Sequence, residues 1–137
     1  MFSHLLVPID GTAHSEAVLR QARELAVLTG ASAHILHLSV HEWIEGQDLT
    51  MEDTSEIRTF MEHALASFRS AGLTTTSEVL PADVREIGQA ILARLEPEVE
   101  NLIVIGAPHH QRWLAPLAHR ISDQVTQQAV CPVLLIP

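Results

Sequence analysis

The chain has 137 residues, 47% of them hydrophobic, and 17 acidic against 8 basic residues give it a net charge of −9. This length and composition predict one globular domain over residues 1–137. The charge excludes duplex DNA as a partner, since DNA binding needs a basic face.

Apolar runs and cysteine content indicate the compartment. Each apolar run is too short to span a bilayer, so we expect no membrane insertion. The first ten residues lack the basic segment and the cleavage site of a signal peptide. Cys131 is the single cysteine, which excludes an internal disulfide and suits a reducing environment. We therefore expect a cytoplasmic protein.

Strands alternate with helices along the chain. The predicted strands are short apolar or β-branched runs, and the predicted helices carry apolar residues at helical spacing. In order, we predict a strand at 4–9, a helix at 13–29, a strand at 33–40, a loop at 41–52, a helix at 53–71, a strand at 73–80, a helix after Asp83 that ends before Pro97, a strand at 101–107, a helix at 117–129 and a strand at 130–136. This alternation predicts an α/β fold, a five-stranded parallel sheet with helices on both faces.

Two local signals refine the third strand and the helix after it. Pro81 is predicted to close the strand. Asp83, with Glu86 three residues later, is an acidic relative of the capping box and predicts the start of the helix.

The candidate binding crevice lies at the carboxyl ends of the first and fourth strands, where ligands bind in such sheets. Asp10 and Gly106 stand at these ends. Asp10 is suited to accept hydrogen bonds from a ribose or adenine, or to hold a metal through water; alternatively, it caps the turn or the first helix. Gly106 allows a close approach of ligand to backbone, adopts a turn conformation closed to other residues, or is an ordinary strand-end glycine.

Three stretches resemble the universal stress protein family, in its UspA domain class: "LLVPIDGTAHSEAVLRQARELA" (5–26), "NLIVIGAP" (101–108) and "RISDQVTQQAVCPVLLIP" (120–137). The resemblance implies a Rossmann-like fold of the adenine nucleotide alpha hydrolase-like type. It also implies a homodimer, often formed by pairing of the last strands, and a role in stress survival rather than catalysis.

The chain departs from the motif G-x-x-G-x9-G-[S/T] that ATP-binding members of this family carry. Gly106 matches the first glycine, but His109, His119 and Arg120 stand at the other three positions; Ser122 matches a family serine near the phosphates. Glycines let backbone N–H groups wrap the phosphates, and positive φ costs a histidine about 1 kcal/mol or more. We therefore expect the phosphate loop to be lost, as in the UspA-like branch that is not thought to bind ATP.

A side-chain site is the alternative to this loss. His109, His110, Arg112 and Arg120 are cationic or nearly so, and an arginine can hold a phosphate with two hydrogen bonds. Trp113 is expected to pack under its own loop or against a partner subunit, with stacking on a base as the alternative.

The nine histidines and Cys131 raise the question of a metal site or a redox sensor. His37 and His41 share a strand face if the second strand continues as far as residue 41, but no histidine spacing forms a zinc signature. We therefore expect no metal site and place most histidines on the surface or in loops. A pH-sensing role is an alternative, because histidine titrates near neutrality. Cys131 is expected to be a small buried residue rather than a redox sensor.

The last strand is expected to be an apolar edge, which is a pairing site for a second copy. The residues assigned to this dimer edge are Val133, Leu134, Leu135 and Ile136. This reasoning supports a homodimer independently of the resemblance.

Three functional hypotheses follow. The leading one is a non-enzymatic, dimeric stress-response protein that has a degenerate crevice, takes no cofactor and acts through unknown protein partners. The alternative is a sensor that binds ATP or AMP. AMP is favoured because contacts to adenine and ribose can be kept when the phosphate loop is lost. The third is a mononucleotide hydrolase, for which the sequence offers no base beyond Asp10 and the loop histidines.

The candidate crevice residues are Pro8, Ile9, Asp10, Val40, Gly106, His109, His119, Arg120, Ile121 and Ser122.

Overall fold

The computed structural model describes the backbone of residues 1–11, 13–41, 43–44, 47–48, 54–83, 85–107 and 115–137, with side chains throughout except at 40–41, 43–44, 47–48, 54, 82 and 115–120. The elements in these ranges are β1 (His4–Ile9), α1 (Ala13–Thr29), β2 (Ser32–His41), β3 (Trp43–Ile44), β4 (Gln47–Asp48), α2 (Thr54–Ser70), β5 (Thr75–Asp83), α3 (Ile87–Leu92), β6 (Asn101–Gly106), α4 (Ala115–Gln128) and β7 (Val133–Ile136).

Five of the strands form one parallel sheet in the order β5-β2-β1-β6-β7. The predicted α/β class and the five-stranded parallel sheet are therefore confirmed. The segment predicted as a loop at 41–52 holds a short antiparallel pair of strands, β3 with β4, in which the backbone of Trp43 pairs with that of Asp48.

Helices cover both faces of this sheet because its strands are apolar on both sides. Along β1, Leu5 and Val7 pack with α1 and α2, while Leu6 faces α3 and α4. Phe68 of α2 is 1% exposed, and burying a side chain of this size stabilises the fold by about 1.5–3 kcal/mol. No helix in the described ranges combines the length and the apolar character needed to cross a membrane.

A close contact between α3 and α4 fixes the helix that carries four of the predicted crevice residues, at positions 119–122. The backbone N–H of Gly88 donates to Oε1 of Gln124 at 2.9 Å. A Cβ added to Gly88 would lie 2.5 Å from Cβ of Gln124. Only a glycine lets the two helices approach this closely, so Gly88 sets the position of α4.

The structure corrects both predictions made around Pro81. β5 continues through Pro81, which pairs with Ser39, and ends at Asp83. An edge strand tolerates proline because one side of it has no partner strand. The capping prediction is wrong: Oδ1 of Asp83 accepts the N–H of Arg85 at 2.8 Å, and α3 begins only at Ile87, after an N-cap Glu86 that makes no side-chain capping bond.

Candidate functional site

The order of the strands reverses between β1 and β6, and this switch point positions the candidate crevice. The chain leaves β1 through α1 to reach β2 on one side, while β6 lies on the other side and leads to β7. α1 and α4 cover opposite faces of the sheet. Asp10 directly follows β1 and Gly106 ends β6, so the fold brings both residues to the carboxyl edge where ligands bind in this architecture.

Ser15, in the first turn of α1, fixes the Asp10 carboxylate. Its Oγ donates to Oδ1 of Asp10 at 3.0 Å. The Ser15 Oγ atom also accepts hydrogen bonds from the backbone N–H groups of Asp10 and Gly11, at 3.3 Å and 3.1 Å. Ser15 is 2% exposed, and the arrangement therefore orients the carboxylate and closes the turn after β1.

The turn itself requires glycine at position 11. Gly11 has a φ of 76°, a conformation that side chains rarely adopt. A Cβ there would also lie 2.8 Å from Cε1 of His37, which is 1% exposed in β2. The His37 ring thus packs against the turn and leaves no room for a side chain at position 11.

His14 joins this turn to the last two strands of the sheet. Its Nε2 lies 3.0 Å from the backbone oxygen of Ile136 in β7. On the way it passes over Gly106, where an added Cβ would lie 2.8 Å from Cδ2 and 3.1 Å from Nε2 of the ring. Gly106 has no positive φ, so the interpretation as a special turn conformation is wrong. The close approach at Gly106 is made by a side chain of this chain.

Sequence reasoning did not single out His14. The available signal was its position in the first turn of the helix that follows the strand at the switch point. Nothing in that position indicates a partner in β7, which lies 122 residues further along the chain.

The other predicted crevice residues whose backbone is described lie on three elements, β1, β2 and α4. Pro8 and Ile9 are buried in β1, and Ile121 and Ser122 of α4 are 6% and 4% exposed. For Val40 in β2 and for His119 and Arg120 in α4, the structure describes the backbone and not the side chains; His109 lies outside the described residues, as do His110, Arg112 and Trp113.

The side chains of five of the nine histidines are described, so the expectation that most of the nine lie on the surface or in loops stays a prediction. His4 and His37 are buried, His14 and His34 are half-buried, and His63 is exposed. Among the described residues, no group of three or more His, Cys, Asp or Glu side chains is arranged to hold a metal ion.

A polar cluster joins β2 and β5 on the face that α3 and α4 cover. His34 contacts Thr76 Oγ1 at 2.6 Å and Glu78 Oε1 at 2.9 Å, and Nε of Arg94 donates to the same Glu78 oxygen at 2.7 Å. The Arg94 hydrogen bond is the main cause that lowers the pKa of Glu78. In nearby β1, burial lowers the pKa of His4. This cluster ties the edge strand β5 to the sheet.

Cys131 is half-buried, and burial raises the pKa of its thiol. A raised pKa leaves less of the reactive thiolate. The structure therefore gives no support to a redox-sensing role.

β7 is an edge strand of the sheet, with β6 as its partner in this chain. Leu134 and Leu135 are 37% and 41% exposed, whereas Ile136 is 8% exposed. Leu134 and Leu135 point to opposite faces, because side chains alternate along a strand. A partner strand added at this edge would cover both leucines.

Comparisons with known proteins agree with this architecture. The model of the family described as "Universal stress protein family" matches residues 1–137. Among curated proteins, no sequence matches significantly. Solved structures of universal stress proteins do match, but at less than 25% identity in the following three cases, so these bear on the fold alone.

A universal stress protein family member from Burkholderia pseudomallei is 23% identical with a TM-score of 0.70, over 99% of this chain and 96% of that one. UspA from Lactobacillus plantarum is 17% identical with a TM-score of 0.77, over 99% and 98%. The universal stress protein from Archaeoglobus fulgidus in complex with dAMP is 22% identical with a TM-score of 0.65, over 100% and 98%. The family match over residues 1–137 and the shared fold lead to one conclusion: the chain belongs to the universal stress protein family.

Proposed function

We propose that this protein is a non-enzymatic, dimeric stress-response protein whose crevice binds the nucleoside part of an adenine nucleotide, with AMP preferred over ATP. The observation that carries the proposal is the Asp10 carboxylate, oriented at the switch point by the 3.0 Å bond from Ser15 Oγ. A carboxylate held in one orientation suits the hydroxyls of a ribose, which donate hydrogen bonds. The bound nucleotide acts as a signal and not as a substrate.

The preference for a monophosphate follows from the sequence after β6. His109, His119 and Arg120 stand where ATP-binding relatives have two glycines and a serine or threonine. Backbone N–H groups at these positions are less able to wrap a triphosphate, because a Cβ and a ring replace the glycine hydrogen. The dAMP bound by the Archaeoglobus fulgidus relative supports a monophosphate ligand for this fold.

The output of the protein is proposed to be an interaction with protein partners. The exposed leucines of β7 support a homodimer formed edge to edge. The sequence contains no lysine and no phosphate-loop motif, which supports binding rather than nucleotide turnover. A cytoplasmic location stays a prediction from the single cysteine.

A second candidate function is partner binding with a crevice closed to every nucleotide. The position of His14 favours it, because the ring fills the space beside Gly106 at the end of β6. This hypothesis keeps the expectation from the sequence that His109, His119 and Arg120 partly fill the phosphate site; His109 and the side chains of the other two lie outside the described part of the structure. The two candidates differ in a single measurable property, the affinity for AMP.

Titration calorimetry of the nucleotide-free protein with AMP, ADP and ATP in the presence of Mg²⁺ tests the proposal. We expect AMP to bind at least about tenfold more tightly than ATP, which corresponds to about 1.4 kcal/mol. Asp10→Asn and Ser15→Ala should both weaken AMP binding. Glu100→Gln is the matched control, since this exposed carboxylate pairs with the N-terminal ammonium at 2.9 Å, away from the crevice. Absence of AMP binding at millimolar concentration would refute nucleotide binding and favour the closed crevice.

A further inference from the structure

We infer that His14 is a positioning residue that couples the nucleotide crevice to the edge strand β7. A ligand held at Asp10 thereby reduces the local opening of β7, the strand on which the subunits are proposed to pair. This inference rests on the proposed nucleotide binding. It names the contacts through which a bound ligand affects the strand proposed as the subunit interface.

The first step is the bond between His14 and Ile136. A backbone carbonyl only accepts, so the His14 nitrogen at 3.0 Å from it carries the hydrogen and donates. The same carbonyl also accepts the N–H of Ala107 at 2.7 Å. One oxygen atom of β7 therefore receives bonds from α1 and from the residue that follows β6.

The second step is the packing of the ring. The van der Waals surface of His14 rests on Gly106, and an added Cβ there would lie 2.8 Å from the imidazole and 3.4 Å from Cγ2 of Val18. The ring is half-buried, and its freedom to rotate is limited by the strand beneath it. A shift of the first turn of α1 therefore displaces the hydrogen bond to Ile136 instead of being absorbed by the side chain.

The third step links His14 to the ligand. Its neighbour Ser15 holds Oδ1 of Asp10 and the N–H groups of Asp10 and Gly11. Any ligand that binds the Asp10 carboxylate acts on Ser15, and His14 belongs to the same helical turn. A ligand stabilises the arrangement in which it binds best, so ordering of this turn by AMP strengthens the contact with β7.

Hydrogen exchange measured by mass spectrometry tests the coupling, on the full chain with and without saturating AMP. In the unmodified protein we expect AMP to slow exchange at least about threefold in peptides covering 9–15 and also in peptides covering 130–137. His14→Leu fills the space of the ring without a donor, and it should keep the protection at 9–15 and lose that at 130–137. His14→Gln, which retains an N–H donor, should show part of the protection at 130–137 that His14→Leu loses. His63→Leu, on the exposed face of α2, is the matched control and should behave as the unmodified protein.

The outcomes separate this inference from the proposed function. If AMP protects 9–15 but not 130–137 in the unmodified protein, or if His14→Leu keeps full protection at 130–137, the coupling is refuted and nucleotide binding stands. If AMP protects neither segment and calorimetry gives no heat of binding, the proposed nucleotide binding fails and the coupling fails with it.

Discussion

Replacing Gly106 by alanine tests the contact between the end of β6 and the His14 ring. The new methyl group would lie 2.8 Å from Cδ2 and 3.1 Å from Nε2 of His14, which is closer than carbon and nitrogen atoms approach without repulsion. Because Gly106 has no positive φ, alanine suits the backbone. The whole cost therefore comes from the contact with the side chain.

The magnitude follows from what must move. Inserting a methyl group into a packed site costs about 1–3 kcal/mol, and turning the ring away gives up the bond to Ile136, worth about 1 kcal/mol. His14→Ala alone loses the same bond and some packing. In the double variant the methyl group enters the vacated space, where the 3.4 Å distance to Val18 is close to ordinary contact. We expect the double variant to be more stable than the sum of the single effects by about 1 kcal/mol or more.

Urea unfolding followed by far-ultraviolet circular dichroism measures this double-mutant cycle. All variants are compared at one protein concentration, because the stability of a dimer depends on concentration. The pair Gly106→Ala and His34→Ala is the control. His34 lies with Thr76 and Glu78, away from this contact, so that cycle should be additive within about 0.5 kcal/mol. Additivity of the His14 cycle within the same limit would refute the reasoning.

Two further predictions concern acid stability and dimerisation. In the folded protein the Arg94 hydrogen bond lowers the pKa of Glu78, and burial lowers the pKa of His4. Each group therefore favours the folded state most at pH values above its unfolded pKa, and this part of the stability is lost as the pH falls. Stability should therefore decline below about pH 6.5 and again below about pH 4.3; urea unfolding of Glu78→Gln should show a smaller loss in the lower range, and curves that stay parallel there would contradict this. For the dimer, Leu134→Asp or Leu135→Asp places a charge on an edge leucine that is 37% or 41% exposed. Light scattering should show a lower mass for at least one variant, and an unchanged mass for both would mean that β7 is not the interface.

Several features could be predicted because their signals are local. The apolar run at 4–9 and the glycine at 30 mark the ends of β1 and α1, because burial on both faces and helix termination leave a signature within a few residues. The placement of Asp10 and Gly106 followed from the alternation of strands and helices. Pro81 misled because the sequence does not show that β5 is an edge strand, where proline is tolerated.

The sequence by itself determined the class of fold and predicted a crevice at the strand ends, while the departure of residues 109, 119 and 120 from a phosphate-binding motif stays an expectation from the family resemblance. Tertiary structure alone decided what touches the crevice residues. His14 meets Gly106 and Ile136 because the sheet brings together segments that are far apart along the chain, whereas the bond from Ser15 to Asp10 closes a local turn. Hydrophobic periodicity records which face of an element is buried, whereas a side-chain contact between two elements depends on their register and separation. Only the folded sheet supplies that information.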